Sequence, residues 1–355
     1  MTGRWWEYLL VFGGSAMLCL LITPVAIRVA IRINHLDHPG GHKTQESPVP
    51  YLGGAALVVS FAVAVLVVFF VVQPNSGGRE LLLILGLAVG LALVGLLDDL
   101  RQLSPTWRLL AEVGAAAAVW SIESGIEVSG IVPVDMVLTV LWVVGISNAF
   151  NLLDNMDGLS AGLGAIACTA FFAIAVANDQ FLVAALAAGL AGCTTGFLRS
   201  NFHPARIYMG DGGALFVGFL IAYLGIKLRF EAEAGVAILV PVLVCSIAIF
   251  DTTLVTIARL VSRRSPFQGG RDHLSHRLVN IGLPVPVAVG VIYSAATAVG
   301  AMAFVVSRID VTSARILAGL VAVAMVVGGS VLLRVPVYSE NSGTLRFISH
   351  RELMD

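Results

Sequence analysis

Three groups of carboxylates interrupt a chain that is otherwise 58% hydrophobic. Asp98-Asp99 follows Gly95-Leu96-Leu97, Asp154 and Asp157 flank Asn155-Met156, and Asp211 follows Met209-Gly210. Each group stands where a long apolar run ends or begins. A charge at the centre of a bilayer costs about 3 kcal/mol or more, so acids beside such runs are candidates for ligand chemistry. Adjacent carboxylates repel unless a cation or proton intervenes. At a helix C-terminus they also oppose the dipole, which sets Asp98-Asp99 apart from an ordinary polar helix end.

The segment Asn148–Gly158 is the densest polar stretch. If helical, it places Asn151, Asp154 and Asp157 at i, i+3 and i+6 on one face. Such a row could supply oxygen ligands or read a nucleobase by hydrogen bonds, although a solvated helix face has the same spacing. Tyr208–Gly213 opens another apolar run. Its glycines would admit backbone close to a ligand, and a helix N-terminus there would offer N–H groups to phosphate, with Asp211 holding Mg²⁺ beside it. A plain capping aspartate is the bland alternative. Gly269–Leu278 carries His273 and His276 among arginines, donors suited to a diphosphate. Zinc would need a third histidine or cysteine nearby, and none is present. Glu112 and Asp251 fall inside apolar runs, as structural hydrogen-bonding groups or as functional ones.

Apolar runs must bring these groups together. With mean hydropathy +0.92 and 12% charged residues, the chain reads as an all-α polytopic membrane protein. Runs long enough to cross fall at about 8–31, 53–72, 81–97, 107–123, 131–150, 158–177, 181–198, 213–228, 236–258, 283–306 and 315–334, eleven in all. The Ala-rich run around Glu112 is the weakest of these. The first run is too long for a signal-peptide core and lacks a cleavage site, so it is expected to stay as an anchor. With the N-terminus outside and the C-terminus cytoplasmic, fifteen of the 21 lysines and arginines face the cytoplasm. That arrangement puts Lys43 and every cluster above on the cytoplasmic face. Residues 1–335 read as one membrane domain and 336–355 as a cytoplasmic tail. The four cysteines lie singly in apolar runs and read as small buried hydrophobes. Net charge −1 and the lack of a basic stripe give no sign of nucleic-acid binding.

Taken in order, Lys43 with Pro48–Gly54, Gly95–Asp99, Asn148–Gly158, Met209-Gly210-Asp211 and His273–Leu278 resemble the polyprenyl-phosphate N-acetylhexosamine-1-phosphate transferases of glycosyltransferase family 4. Span number and orientation look like the UDP-N-acetylglucosamine branch. The peptidoglycan branch, which uses UDP-N-acetylmuramoyl-pentapeptide, usually has three adjacent histidines where this chain has His273-Leu274-Ser275-His276-Arg277. The resemblance implies transfer of a hexosamine-1-phosphate, foremost GlcNAc-1-phosphate, from a UDP-N-acetylhexosamine to a polyprenyl phosphate in a bacterial inner membrane. UMP is released, Mg²⁺ (or Mn²⁺) assists, and relatives are often homodimers.

It further implies catalytic roles for Asp98, Asp99, Asp157 and His276, with Asp211 and Asp99 on the metal. Asp98 would lie nearer the acceptor. Lys43, Asn151, Asp154, Asn201, Tyr208, His273 and Arg277 would bind substrate, Tyr208 by stacking on uracil. Departures are His42 and Gln45 in the first loop and Ser275 in the last motif, where the related pattern His-Leu-His-His-Arg has histidine. A transporter for a phosphorylated or nucleotide-linked solute is the rival from another class. It would place its polar groups near the midplane of repeated halves, and no repeat is evident. An intramembrane aspartyl protease would need paired aspartates within spans.

Overall fold

The computed structural model describes residues 5–38, 47–72, 77–122, 125–229, 234–266 and 268–338. Helices α1 (Trp5–Arg32) and α2 (Gly53–Val72) are joined by a loop whose ends pair as β1 (Leu36–Asp37) and β2 (Val49–Pro50). This two-residue antiparallel ladder sets Leu36 opposite Pro50. Then come α3 (Gly78–Arg101), α4 (Pro105–Ser121), α5 (Val132–Leu153), α6 (Leu159–Ala177), α7 (Phe181–Asn201) and α8 (Gly210–Lys227). The chain closes with α9 (Ala234–Val244), α10 (Ser246–Val261), α11 (Leu274–Asn280), α12 (Val285–Val306) and α13 (Val311–Leu332). Helices suit a bilayer because each satisfies its own backbone hydrogen bonds.

Helix α8 is the axis of the bundle. Every residue from Gly212 to Ile226 is buried, against α2, α3 and α5. Around it, α7 seats on α1 and α6. There a Cβ on Gly192 would fall 2.2 Å from Phe12 O and one on Gly196 2.5 Å from Ala16 O, so two backbones touch where small residues let them. Helix α13 lies at the other extreme, with Ile316, Leu320, Val323, Val327 and Val331 exposed. An apolar outer surface of that kind is what hydrocarbon solvates and water does not.

Among the described residues, nine helices are long and apolar enough to cross a membrane, and α9 with α10 makes a tenth if that bent pair is one span. Helix α4, at 17 residues, is shorter than these. The run expected at 236–258 is not one straight helix. It breaks at Cys245, and its two parts diverge by 73°. Hydropathy averages over such a bend and does not register it. Beside the bend, a largely apolar cavity of about 640 Å³ opens between α5, α8, α9 and α10, lined among others by Trp142, Ile146, Ile226, Pro241 and Ile249.

Candidate active site

The carboxylates converge where the N-terminus of α8 meets the C-termini of α3 and α5. Two close approaches create the meeting. Tyr208 N–H donates to Pro50 O, while Gly53 N–H and Gly54 N–H donate to Tyr208 O and Met209 O, zipping the entry to α2 onto the entry to α8. On the other side, a Cβ on Gly95 would fall 2.5 Å from Gly212 N. The glycines therefore admit backbone to backbone rather than backbone to ligand. Gly210 adopts φ +71, and a Cβ there would meet Asp99 Oδ2 at 2.6 Å, so that turn requires glycine twice over.

Asp99 accepts hydrogen bonds from Asp211 N–H at 3.0 Å and Gly212 N–H at 3.3 Å. Asp154 is acted on by the Gly210 N–H. Two N–H groups of α8's first turn, expected to face phosphate, are thus taken by the Asp99 carboxylate of α3. This arrangement resolves the dipole conflict at α3, because Asp99 serves as a cap for a different helix. Asp98 accepts from Leu103 N–H at 2.6 Å and from Arg108 at 3.2 Å. The same Arg108 Nη1 reaches Asp211 Oδ2 at 2.9 Å, and Asn151 Nδ2 holds Asp211 Oδ1 at 2.9 Å. Arg108 Nε also lies 3.9 Å from Glu112, which is fully buried and accepts from Asn148.

Asn151, Asp154 and Asp157 do not form one helical row. Helix α5 ends at Leu153, Asp154 is its C-cap at φ −77, ψ 44, and a turn carries the chain to Gly158 at φ +77. Burial pushes Asp154 up to about 7, the charges of Asp211 and Asp99 add to the rise, and the Gly210 N–H opposes it. Asp157 turns the other way. Its Oδ2 takes His203 Nδ1 at 2.8 Å and Ala205 N–H at 3.0 Å, which ties down the loop before α8. Asn201 is buried beneath that loop and donates to Ile207 O at 3.0 Å. Tyr208 is half-buried and meets Tyr51 edge to face at 6.2 Å. Burial, with Asp157, Asp37 and Asp154 nearby, raises its pKa. Lys43, His42 and Gln45 lie outside the described residues.

The histidine segment forms α11 and the loop before it. Asp251 takes His273 Nδ1 at 2.7 Å and Leu274 N–H at 2.6 Å, so the acid within α10 orients one histidine and caps α11. Arg277 is almost fully buried and donates to Asp272 O, Leu332 O and Val335 O. It braces the chain end against the loop and makes no bond to the carboxylate cluster. Just past the expected domain boundary, Tyr338 donates to Asp272 Oδ2 at 2.7 Å and Asn280 donates to Pro336 O. His276 is half-buried. Burial, with His273 and Arg271 close by, pushes it down to about 4 against Asp251 and Asp272.

Asp98, Asp99, Asn151, Asp154 and Asp211 are therefore brought together. Arg108 links Asp98 to Asp211 and was not among the site residues expected from the sequence. Its signal was a basic residue at i−4 from an acid inside an apolar run. Four carboxylates meet one bonded guanidinium here, which leaves an excess of negative, oxygen-rich charge. Among the described residues no three acids or histidines form a ready metal cage. Magnesium fits such a place, since it commonly takes one or two carboxylates and completes its shell with phosphate oxygens and water.

A negatively charged, oxygen-rich site closing one end of an apolar helical bundle defines a polytopic membrane protein with a polar site suited to a cation. The chain belongs to glycosyl transferase family 4, whose family model matches residues 81–229. It is 33% identical over 293 residues to a "probable undecaprenyl-phosphate N-acetylglucosaminyl 1-phosphate transferase" of Bacillus subtilis, covering 79% of each chain. It is 30% identical to a decaprenyl-phosphate N-acetylglucosaminephosphotransferase of Mycolicibacterium smegmatis over 72% of this chain and 71% of that one. A phospho-N-acetylmuramoyl-pentapeptide-transferase of Desulforudis audaxviator is 34% identical over 58% of this chain and 72% of its own length.

Proposed function

We propose that the protein transfers N-acetylglucosamine-1-phosphate from UDP-N-acetylglucosamine to a polyprenyl phosphate and releases UMP, as an early membrane step in building a cell-envelope polysaccharide. The observation that carries this reading is the juncture of Asp98, Asp99, Asn151, Asp154 and Asp211 with Arg108 at one end of an apolar bundle. The match covers more of this chain with the two N-acetylglucosaminyl-phosphate transferases, 79% and 72%, than with the muramoyl-pentapeptide transferase, 58%, which favours this donor over the muramoyl-pentapeptide one.

In the reaction an oxygen of the lipid phosphate attacks the phosphorus that bears the sugar. The bond to the bridging oxygen breaks, and UMP leaves with that oxygen. The acceptor monoester has a second pKa near 6, so it is largely dianionic at neutral pH and needs no strong base. Catalysis of this kind is mostly positioning and charge neutralisation. Asn151 fixes the rotation of Asp211, and Arg108 places a positive charge between Asp98 and Asp211 for the phosphates to meet. Mg²⁺ would be held by Asp211 and Asp98, whose oxygens already share Arg108 Nη1, and when bound it supplies charge neutralisation to the phosphates. Asp99 keeps its oxygens on the α8 N–H groups and holds the frame. The apolar cavity beside the α9–α10 bend suits an isoprenoid chain.

We read eleven crossings, counting α4 and taking α9 with α10 as one. With the N-terminus outside and the site at the cytoplasmic face of a bacterial inner membrane, the site faces the compartment where nucleotide sugars are made. The full chain, purified in detergent, should form a sugar-diphosphate lipid and UMP in equal amounts from UDP-N-acetylglucosamine and undecaprenyl phosphate. Product only from UDP-N-acetylmuramoyl-pentapeptide would move it to the other branch. Uptake of UDP-sugar by vesicles without lipid product would replace the reading by transport.

A further inference from the structure

His273 and His276 are held in two different ways. His273 is buried with Nδ1 on the Asp251 carboxylate, at 2.7 Å. His276 is half-buried, and its Nδ1 lies 3.4 Å from Ser275 Oγ, the residue that stands where the related pattern has histidine. The sense of that contact is set from behind. Asn155 Nδ2 donates to Leu152 O, in the last turn of α5, at 2.6 Å. Its other amide atom, Oδ1, is therefore an acceptor facing Ser275. Ser275 is fully buried and donates its one proton to Asn155 Oδ1 at 2.6 Å. Only lone pairs of Ser275 Oγ then remain for His276, so Nδ1 carries the ring proton and Nε2 is bare. Nε2 has no hydrogen-bond partner among the described residues.

We propose that Leu152, Asn155 and Ser275 form a relay that holds His276 as a neutral, Nδ1-protonated imidazole whose Nε2 accepts a hydrogen bond from the sugar of the donor substrate. Asn155 and Ser275 are positioning residues acting through His276. A diphosphate offers only acceptors, whereas an N-acetylhexosamine offers O–H groups and an amide N–H. The relay thus turns His276 from an anion clamp into a reader of the sugar. The low pKa of His276 agrees with a neutral ring at working pH. The part concerning the sugar rests on the transferase reading above, and the part concerning the ring does not.

The test uses ¹⁵N-histidine-labelled full-length protein in lipid at pH 7.5, with His276→Asn to assign the signal by its loss. Solid-state ¹⁵N spectra should show His276 with a protonated Nδ1 and an unprotonated Nε2. Ser275→Ala and Asn155→Leu should each destroy that single tautomer. A charged ring, an Nε2-protonated ring, or a spectrum unchanged by both variants would overturn the relay. In turnover assays Ser275→Ala should lower kcat/KM for the UDP-sugar about tenfold, the worth of one hydrogen bond to a well-placed group. Ser275→Thr should restore it, and Ser275→Ala should add nothing in the His276→Asn background. Full additivity in that background would show that Ser275 does not act through His276. Wild-type protein that turns over no UDP-N-acetylhexosamine would sink the transferase reading and leave the spectra to decide the relay.

Discussion

Asp154 and Asp272 lie in two loops at the same end of the bundle, and their surroundings drive them in opposite directions. Asp272 is nearly inaccessible, and burial alone would raise its pKa. Arg259 outweighs that with two hydrogen bonds of 2.8 Å, Tyr338 adds a third bond, and the carboxyl falls to about 2. Asp154 has no such cation and is pushed up to about 7 by burial and by the charges of Asp211 and Asp99. One acid arrives with its counter-charge built in and works as a joint. The other belongs to a group short of positive charge, which is the condition of a site that expects a cation or a cationic ligand complex. The difference separates the histidine loop's scaffold from the reacting centre.

The largest effect should come from the acid at the middle of the deficit. Asp211→Asn keeps the shape and the Asn151 contact but removes charge, and it should lower turnover by about 10²–10³-fold while the protein stays folded and inserted. Near-normal turnover at ordinary Mg²⁺ would place the metal elsewhere. On the joint, Asp272→Asn should leave turnover chemistry alone and cost about 3–5 kcal/mol of stability, because Arg259 is then buried without its partner. Thermal unfolding in detergent measures this, and a loss of under about 1 kcal/mol would mean that water replaces the carboxylate.

The two acids also predict opposite pH slopes. Asp154 has a raised pKa in the fold, so its contribution is full below about 4 and is lost as pH rises toward about 7. Asp272 has a lowered pKa, so its contribution of about 2 kcal/mol is present above about 4 and is lost as pH falls toward about 2. Without divalent cations, stability should therefore decline between pH 5 and 7, and Asp154→Asn should flatten that decline. Added Mg²⁺ with UDP-sugar should stabilise the protein more at pH 7.5 than at pH 5.5. A smaller effect belongs to Tyr208. If it stacks on uracil, Tyr208→Ala should weaken UDP-sugar binding by about 1–3 kcal/mol and Tyr208→Phe should be almost silent, as calorimetry would show.

Much of this was legible in the sequence, for a physical reason. Hydrocarbon demands long apolar runs, so the helices and the acids at their ends stand out, and counting the runs already placed Asp98, Asp154 and Asp211 at one end. What escaped notice depends on contacts between distant segments. Nothing local announces that Asp99 caps α8, 112 positions away, or that Arg108 bridges Asp98 and Asp211. The helical spacing of Asn151, Asp154 and Asp157 misled because α5 stops at Leu153, and Gly158 was the available warning. Ser275 was visible as a departure, but its partner Asn155, 120 residues earlier, was not.

The central claim is that the charge deficit around Asp211 is where cation and phosphates meet, with Asp98 beside the metal and Asp99 in the frame. Mg²⁺ titrations of UMP release by wild type, Asp98→Asn and Asp99→Asn test it directly. Asp98→Asn should need about tenfold more Mg²⁺ for half-maximal rate, the loss expected for one carboxylate in a shared shell. Asp99→Asn should lower the rate and the thermal stability, with its half-maximal Mg²⁺ unchanged. The reverse pattern, a shifted Mg²⁺ requirement for Asp99→Asn and none for Asp98→Asn, would contradict the account.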